Sequence, residues 1–139
     1  MEGEATDTPL SSQGYLEVKE VEYTSEAKGR GVFAVKPIPR GALVEVAHCI
    51  LFPKQEYDDH LRHTAMEHYL FGKTDDMMLP LGFGALFNHS RSPNLDYRLD
   101  MPNLIIRYYA CKDVSPGSEL FIYYGGDLWF DEGLEASDD

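Results

Sequence analysis

An unusual run of small polar side chains follows an apolar stretch near the middle of the chain. Residues 85–87 are Ala-Leu-Phe, and residues 88–94 read NHSRSPN, with two amides, an imidazole and two hydroxyls. Such groups are costly to bury unless they form hydrogen bonds. They therefore either cap turns or hold a polar ligand, and for this segment taken alone turn capping is the simpler interpretation.

Two further segments combine residue types that suit a binding site. Residues 119–125 read ELFIYYG, so Tyr123 and Tyr124 place hydroxyls at the end of an apolar strand. For Tyr123 an ordinary core or edge role is the simpler interpretation. Residues 29–31 read GRG, a pattern that any tight turn can have. Each segment alone is weak evidence for a site.

The sequence offers no recognisable metal site. The two cysteines, Cys49 and Cys111, are too few for a disulfide framework and form no CxxC pair, which excludes a zinc site built from cysteines alone. Three histidines lie close together, but neither cysteine nor carboxylate completes a ligand pattern around them. We interpret them as the polar face of a helix or loop: His60, His63 and His68.

Composition predicts one soluble, intracellular domain with acidic ends. The chain has 139 residues, a typical size for a single domain, and contains neither a long apolar span nor a signal-like N-terminus. The net charge is −12, yet residues 14–126 hold all 12 basic residues. We expect no direct nucleic-acid binding, which needs clustered cations. The acidity either attracts a basic partner or simply solubilises the chain.

The elements that must position these segments are mostly β-strands. Alternating or buried apolar patterns predict strands over residues 16–23, 32–35 and 42–52, a hairpin over 95–110, and a strand over 119–123. Residues 54–70 form the one good helix candidate, because Tyr57, Leu61, Ala65 and Tyr69 recur every four residues. Residues 1–13 are predicted to be a disordered acidic tail, residues 14–130 the folded domain, and residues 131–139 a second acidic tail.

Taken together and in order, the three segments resemble the SET-domain family of protein-lysine methyltransferases. The family pattern is a GxG turn, then NHSxxPN, then a strand of the form ELxxxYG, and the resemblance covers about residues 15–130. It implies a mostly β SET fold of short curved sheets, with one or two short helices and a knot-like crossing near the C-terminus. True threading is rare, so composition alone would not predict it.

The resemblance also implies S-adenosyl-L-methionine as cofactor and assigns roles to individual residues. The cofactor-binding positions are Gly29, Arg30, Gly31, Asn88, His89, Tyr124 and Trp129. Tyr124 matches the family's catalytic tyrosine, and Tyr97 matches a second hydroxyl of the lysine channel. Many relatives close that channel with a cysteine-rich zinc segment that this chain lacks. Trp129 and Phe130 therefore either close the channel or anchor the tail as a core contact.

The reaction explains why such residues suit the site. The attacking lysine amine must be neutral, yet its reference pKa is near 10.4, so about one molecule in 2500 is neutral at pH 7. A narrow apolar channel lowers that pKa, and aromatic walls tolerate the remaining cationic character. Because the reference pKa of tyrosine is near 10, we interpret Tyr124 as a positioning and electrostatic group rather than a strong base. Ile122 leaves the number of added methyl groups open.

The leading prediction is a nuclear protein-lysine methyltransferase that acts on a lysine-bearing protein, with a histone tail as the implied substrate. A homodimer would allow a second subunit to complete the peptide groove of so small a protein. Two alternatives stay open: a catalytically inactive SET module that binds proteins, and a methyltransferase of a non-histone protein. The inactive module would have lost the cofactor motif or the tyrosine, and this chain has both.

Overall fold

Short strands dominate the fold. The computed structural model describes residues 8–21, 29–72 and 76–123. The strands are β1 (Leu16–Glu20), β2 (Arg30–Ala34), β3 (Leu43–Phe52), β4 (Phe71–Gly72), β5 (Met77–Pro80), β6 (Asn88–His89), β7 (Leu95–Asp100), β8 (Ile105–Ala110) and β9 (Phe121–Ile122). They form a five-stranded sheet in the order β4-β5-β3-β8-β7 and two small sheets, β1-β2 and β6-β9. The predicted mostly β class is confirmed.

The five-stranded sheet is built around β3, whose run of apolar and β-branched residues favours a strand that is covered on one face. On β8, Ile106, Tyr108 and Ala110 are buried and alternate with half-buried neighbours, as a two-residue period requires. The predicted hairpin is confirmed, because β7 and β8 pair antiparallel from Leu95 opposite Ala110 onward. At its turn Leu104 adopts a φ of 55°.

The helical segment is more broken than its periodicity predicts. An α-helix, α1 (Lys54–Asp59), is followed by two 3-10 helices, η2 (Leu61–His63) and η3 (Ala65–Tyr69). Thr64 interrupts the run with extended backbone, and its hydroxyl oxygen accepts a hydrogen bond from the amide of Met66, which restarts the chain as a new helix. Within the described residues, none of the helices combines the length and hydropathy of a membrane span.

Part of the predicted N-terminal tail is ordered. Residues 10–13 form a 3-10 helix, η1 (Leu10–Gln13), that packs on β3. Leu10 lies against the core cluster, and the Ser11 hydroxyl donates a hydrogen bond to Glu45 on β3. The apolar contact of Leu10 and the hydrogen bond of Ser11 thus hold η1 against the fold, although the composition of this segment is typical of a flexible tail.

Residues 118–123 run through the centre of the fold. On one side they continue the sheet of β2, because Ala34 donates its amide to the Ser118 carbonyl at 2.9 Å and Leu120 donates to Val32 at 2.8 Å. On the other side β9 pairs parallel with β6. The side chains of Leu120 and Ile122 are fully buried, each worth about 1.5–3 kcal/mol relative to exposure.

The side chain of Asn94 takes the place of a missing strand beside this central segment. Its amide nitrogen donates to the Glu119 carbonyl at 3.0 Å, and its oxygen accepts from the Phe121 amide at 2.8 Å. An asparagine amide can make both bonds because it carries a donor and an acceptor, like a peptide group. Asn94 therefore fixes the segment that leads into the YYG motif.

We expect Asn94→Ala to lower the free energy of unfolding by about 2 kcal/mol, because it leaves two part-buried backbone groups without partners. Urea unfolding followed by circular dichroism measures the change. Asn103→Ala is the matched control, since Asn103 makes its side-chain hydrogen bond to Asp100 at an exposed turn. We expect that control to lose less than about 1 kcal/mol. Equal losses in the two variants would contradict the role given to Asn94.

Candidate cofactor and lysine site

Asn88 joins the three motifs that the sequence singled out. Its side chain is buried, and its amide nitrogen donates to the Arg30 carbonyl at 2.8 Å and to a carboxylate oxygen of Glu119 at 2.9 Å. Arg30 belongs to the glycine turn, Asn88 to the NHS segment and Glu119 to the final strand motif. The three motifs thus meet at a single point, although up to 89 positions separate these residues along the chain.

The two partners of Asn88 also fix the orientation of its amide. A carbonyl and a carboxylate only accept hydrogen bonds, so the nitrogen must face them and the side-chain oxygen must face the other way. That oxygen can accept a hydrogen bond from an amino group of a ligand. This fits the predicted S-adenosylmethionine, whose methionine part carries an ammonium group.

The glycine turn comes close to the same junction. A Cβ atom on Gly31 would clash with the Glu119 carboxylate and would lie 3.2 Å from the Asn88 amide nitrogen. Gly29 has a φ of 92°, which residues other than glycine rarely adopt. The structure therefore requires glycine at both positions of the GRG segment, and the turn lets the backbone approach the site closely.

His89 and Tyr123 cover the neighbouring surface. Their rings stack with centroids 5.3 Å apart and planes 30° from parallel. Partial burial, followed by the positive charge of Arg91, lowers the pKa of His89 below its usual value. At neutral pH the imidazole is therefore uncharged, with one nitrogen donating and the other accepting. Such a ring suits a neutral heterocycle better than an anion.

Tyr97 contacts the backbone of Tyr123, whereas His89 contacts its ring. Its hydroxyl donates to the Tyr123 carbonyl at 3.2 Å, and its ring meets Phe71 edge-on at 5.4 Å. The ring of Tyr108 lies 6.0 Å away on the same cluster. The hydroxyl predicted to line the lysine channel thus holds the backbone of the residue that precedes Tyr124.

Two of the predicted site residues, Tyr124 and Trp129, lie outside the described residues, as does Phe130. Their roles stay predictions. The described residues bring together Gly29, Arg30, Gly31, Asn88 and His89 around one junction, and connect Tyr97 to it through Tyr123. No group of three or more His, Cys, Asp or Glu side chains could hold a metal ion among these described ranges.

Sequence reasoning missed three residues of this arrangement. Glu119 carried a signal, because it opens the ELxxxYG motif at a fixed distance from the tyrosine, but it was given no role. Tyr123 was interpreted as an ordinary aromatic residue, and only its ring contact with His89 reveals otherwise. Phe71 carried no signal, because its position beside Tyr97 depends on pairing between β4 and β5.

A family model and a curated relative both match this chain. The SET domain family model matches residues 29–125. A curated relative from Schizosaccharomyces pombe, a histone-lysine N-methyltransferase specific for lysine 37 of H3, is 40% identical over 115 residues, which span 81% of this chain and 78% of the relative.

Solved structures show the same fold. A crystal structure from Plasmodium falciparum, described as a candidate histone methyltransferase, has a TM-score of 0.62 and 25% identity, and the match covers 83% of this chain and 96% of that one. The polycomb repressive complex 2 of Chaetomium thermophilum has a TM-score of 0.66 at 20% identity, covering 87% of this chain and 16% of that one. With the family match, the 40% identical relative and the shared fold, the chain belongs to the SET-domain methyltransferase family.

Proposed function

We propose that this chain is an S-adenosylmethionine-dependent protein-lysine N-methyltransferase that acts on histone H3. The observation that carries the proposal is the junction at Asn88, which ties the glycine turn to the strand that leads into Tyr124. The amide oxygen of Asn88, which is directed away from these two protein partners, supports a site that accepts a hydrogen bond from a ligand. The relative from Schizosaccharomyces pombe supports the choice of substrate.

The cofactor half of the site would use Gly29, Arg30 and Gly31 as a close backbone surface, with Asn88 and His89 as polar contacts and Trp129 as aromatic cover. Bound there, S-adenosylmethionine supplies an electrophilic methyl group on a sulfonium sulfur. The Asn88 oxygen accepts from an ammonium group of the ligand, and the uncharged His89 ring suits its base. Held by the Arg30 carbonyl and Glu119, the amide of Asn88 needs no reorientation on binding.

The lysine half of the site would use aromatic walls. Tyr97, clamped between Phe71 and the Tyr123 carbonyl, presents a ring whose position is fixed on two sides. Apolar walls disfavour the charged form of the entering amine and so lower its pKa, which yields the neutral nucleophile. The hydroxyl of Tyr124 orients the amine, and this alignment removes orientational entropy from the barrier.

We expect Tyr124→Phe to lower kcat at least about 100-fold, because it removes a hydrogen-bonding group that acts at the reacting atoms. Cofactor affinity, measured by calorimetry, is expected to change little. Tyr109→Phe is the matched control: it removes a hydroxyl from the face of β8 opposite to the buried Tyr108, where Arg98 lies over the Tyr109 ring. Wild-type turnover in the Tyr124 variant would contradict the catalytic assignment. Failure of the wild-type chain to gain thermal stability from S-adenosylmethionine would favour the inactive binding module.

Charge supports a basic substrate. The net charge of −12 draws cationic peptides toward the protein, and on the helical segment between β3 and β4 four carboxylates outnumber the bases Lys54 and Arg62, although Lys54 pairs with Asp58: Glu56, Asp58, Asp59 and Glu67. Histone tails have the complementary charge. A histone substrate also implies that the chain acts in the nucleus.

We expect labelled methyl groups to appear on H3 when the four core histones are offered together, and mass spectrometry to find them on lysine 37, the site named for the relative. H3 in which that lysine is replaced by arginine is the control, and its signal should fall to background. A signal that persists on this H3 would move the target to another lysine. Labelling of whole-cell extract without labelling of histones would instead favour a non-histone substrate.

We also propose that the active form is a homodimer, since exposed apolar patches mark interaction surfaces. Ile50 on β3 is 45% exposed, and Leu81, just beyond the neighbouring β5 and on the same face of the sheet, is 44% exposed. Sedimentation at micromolar concentration is expected to show the mass of two chains, and Ile50→Lys to shift it toward one. Val35→Lys, at a residue just beyond β2 that is 44% exposed, is the control. A wild-type chain that sediments only as a monomer would remove this proposal.

A further inference from the structure

Glu45 is a buried carboxylate that the proposed reaction does not use. We propose that it is a positioning residue for the cofactor site: it fixes the turn that precedes β6, and Ser11 of the N-terminal helix η1 holds it in place. This inference rests on the proposed function, because β6 carries Asn88 and His89. It also gives a role to residues that lie before the segment matched by the family model.

The surroundings of Glu45 show what it holds. The residue is 6% exposed, and its two carboxylate oxygens have separate donors. The Ser11 hydroxyl donates to one oxygen at 2.5 Å, and the Phe83 amide donates to the other at 2.8 Å. No ion pair of Glu45 is found in the three described ranges. A carboxylate is costly to bury, so these two bonds are what keep it in this place.

Phe83 belongs to a tight turn, η4 (Gly82–Ala85), which is held from its other side by the core. The Tyr108 hydroxyl lies 3.4 Å from the Gly84 carbonyl and donates to it. A Cβ atom on Gly84 would lie 2.8 Å from that of Ala47. The turn is therefore held by Glu45 on one side and by Tyr108 and Ala47 on the other.

The turn leads directly into the cofactor strand. The Leu86 amide bonds back to the Phe83 carbonyl at 2.9 Å, and the next residue, Phe87, is fully buried with its ring centroid 4.9 Å from that of Tyr108. Asn88 follows immediately. Because this connection is short and packed, a displacement of η4 reaches the amide of Asn88. Glu45 thus helps to fix the position of the Asn88 side-chain oxygen, which faces the ligand, although Glu45 itself does not contact the ligand.

The two donors also determine which substitutions should be tolerated. In Glu45→Gln the side-chain oxygen can accept from the Phe83 amide, while the new amide group donates to the Ser11 hydroxyl, which can accept as well as donate. Glu45→Leu can satisfy neither donor. A role in positioning therefore predicts rescue by glutamine, whereas a need for negative charge predicts that both variants fail.

The test measures amide hydrogen exchange over residues 86–92 of the ligand-free protein and, separately, the Kd for S-adenosylmethionine. We expect Glu45→Leu to speed exchange selectively in that segment and to raise Kd about tenfold, and Glu45→Gln to stay within about twofold of wild type. Val114→Ala, a buried core change at a residue whose backbone pairs with Ile38, controls for general loss of stability. Exchange over 86–92 that is the same in Glu45→Leu and Val114→Ala would overturn the inference.

A second pair of variants tests the contact with η1 even if Glu45→Leu does not fold. Ser11→Asp sets a negative charge against Glu45, whereas Ser12→Asp adds the same charge one position away, where the hydroxyl is exposed and bonds to Pro9. Only the first is expected to speed exchange over 86–92. Equal exchange in the two variants would overturn the role of Ser11. A wild-type chain that binds no cofactor would defeat the proposed function, while the exchange results would still decide the role of Glu45.

Discussion

The fold depends on side-chain amides that substitute for backbone pairing at a crossing of three chain segments. The Asn88 amide bridges the Arg30 carbonyl and the Glu119 carboxylate, and Asn94 brackets the backbone from Glu119 to Phe121. A regular strand could not fill this place, because β2 occupies one side of the segment and β6 reaches only part of the other. The crossing and the described part of the candidate site therefore depend on the same hydrogen bonds.

Asparagine suits these positions better than any charged residue. At position 94 the side chain must donate to one backbone group and accept from another, which a carboxylate cannot do. At position 88 both partners are acceptors, and one of them is a carboxylate, so aspartate would bring like charges together. Lysine or arginine could donate but would offer no acceptor to a ligand. The asparagines at positions 88 and 94 thus follow from local hydrogen bonding as well as from the proposed ligand binding.

Local patterns predicted local structure well, as the β7–β8 hairpin shows: apolar and polar residues alternate on both of its strands, and a turn joins them. The helix predicted over residues 54–70 is α-helical only to Asp59 and continues as two 3-10 helices, the second of which starts at the capping hydroxyl of Thr64; a segment that buries little gains little packing energy to hold one long helix. The hydrogen bonds of Glu45 with Ser11 and Phe83 join residues far apart in sequence, and no local sequence pattern predicts them. The junction at Asn88 was predicted only through the resemblance of its motifs to a family.

Tyr123 contacts residues of both halves of the proposed site. Its ring stacks on His89, which we propose contacts the cofactor, and its carbonyl accepts from Tyr97, which we propose lines the lysine channel. The ring and carbonyl of Tyr123 cannot move far independently of each other, since the two residues before it are paired in β9. In-line transfer needs donor and acceptor aligned to within a fraction of an ångström. If the proposed function holds, Tyr123 supplies that alignment, because His89 holds its ring and Tyr97 holds its carbonyl. The two halves of the site then need no direct contact with each other.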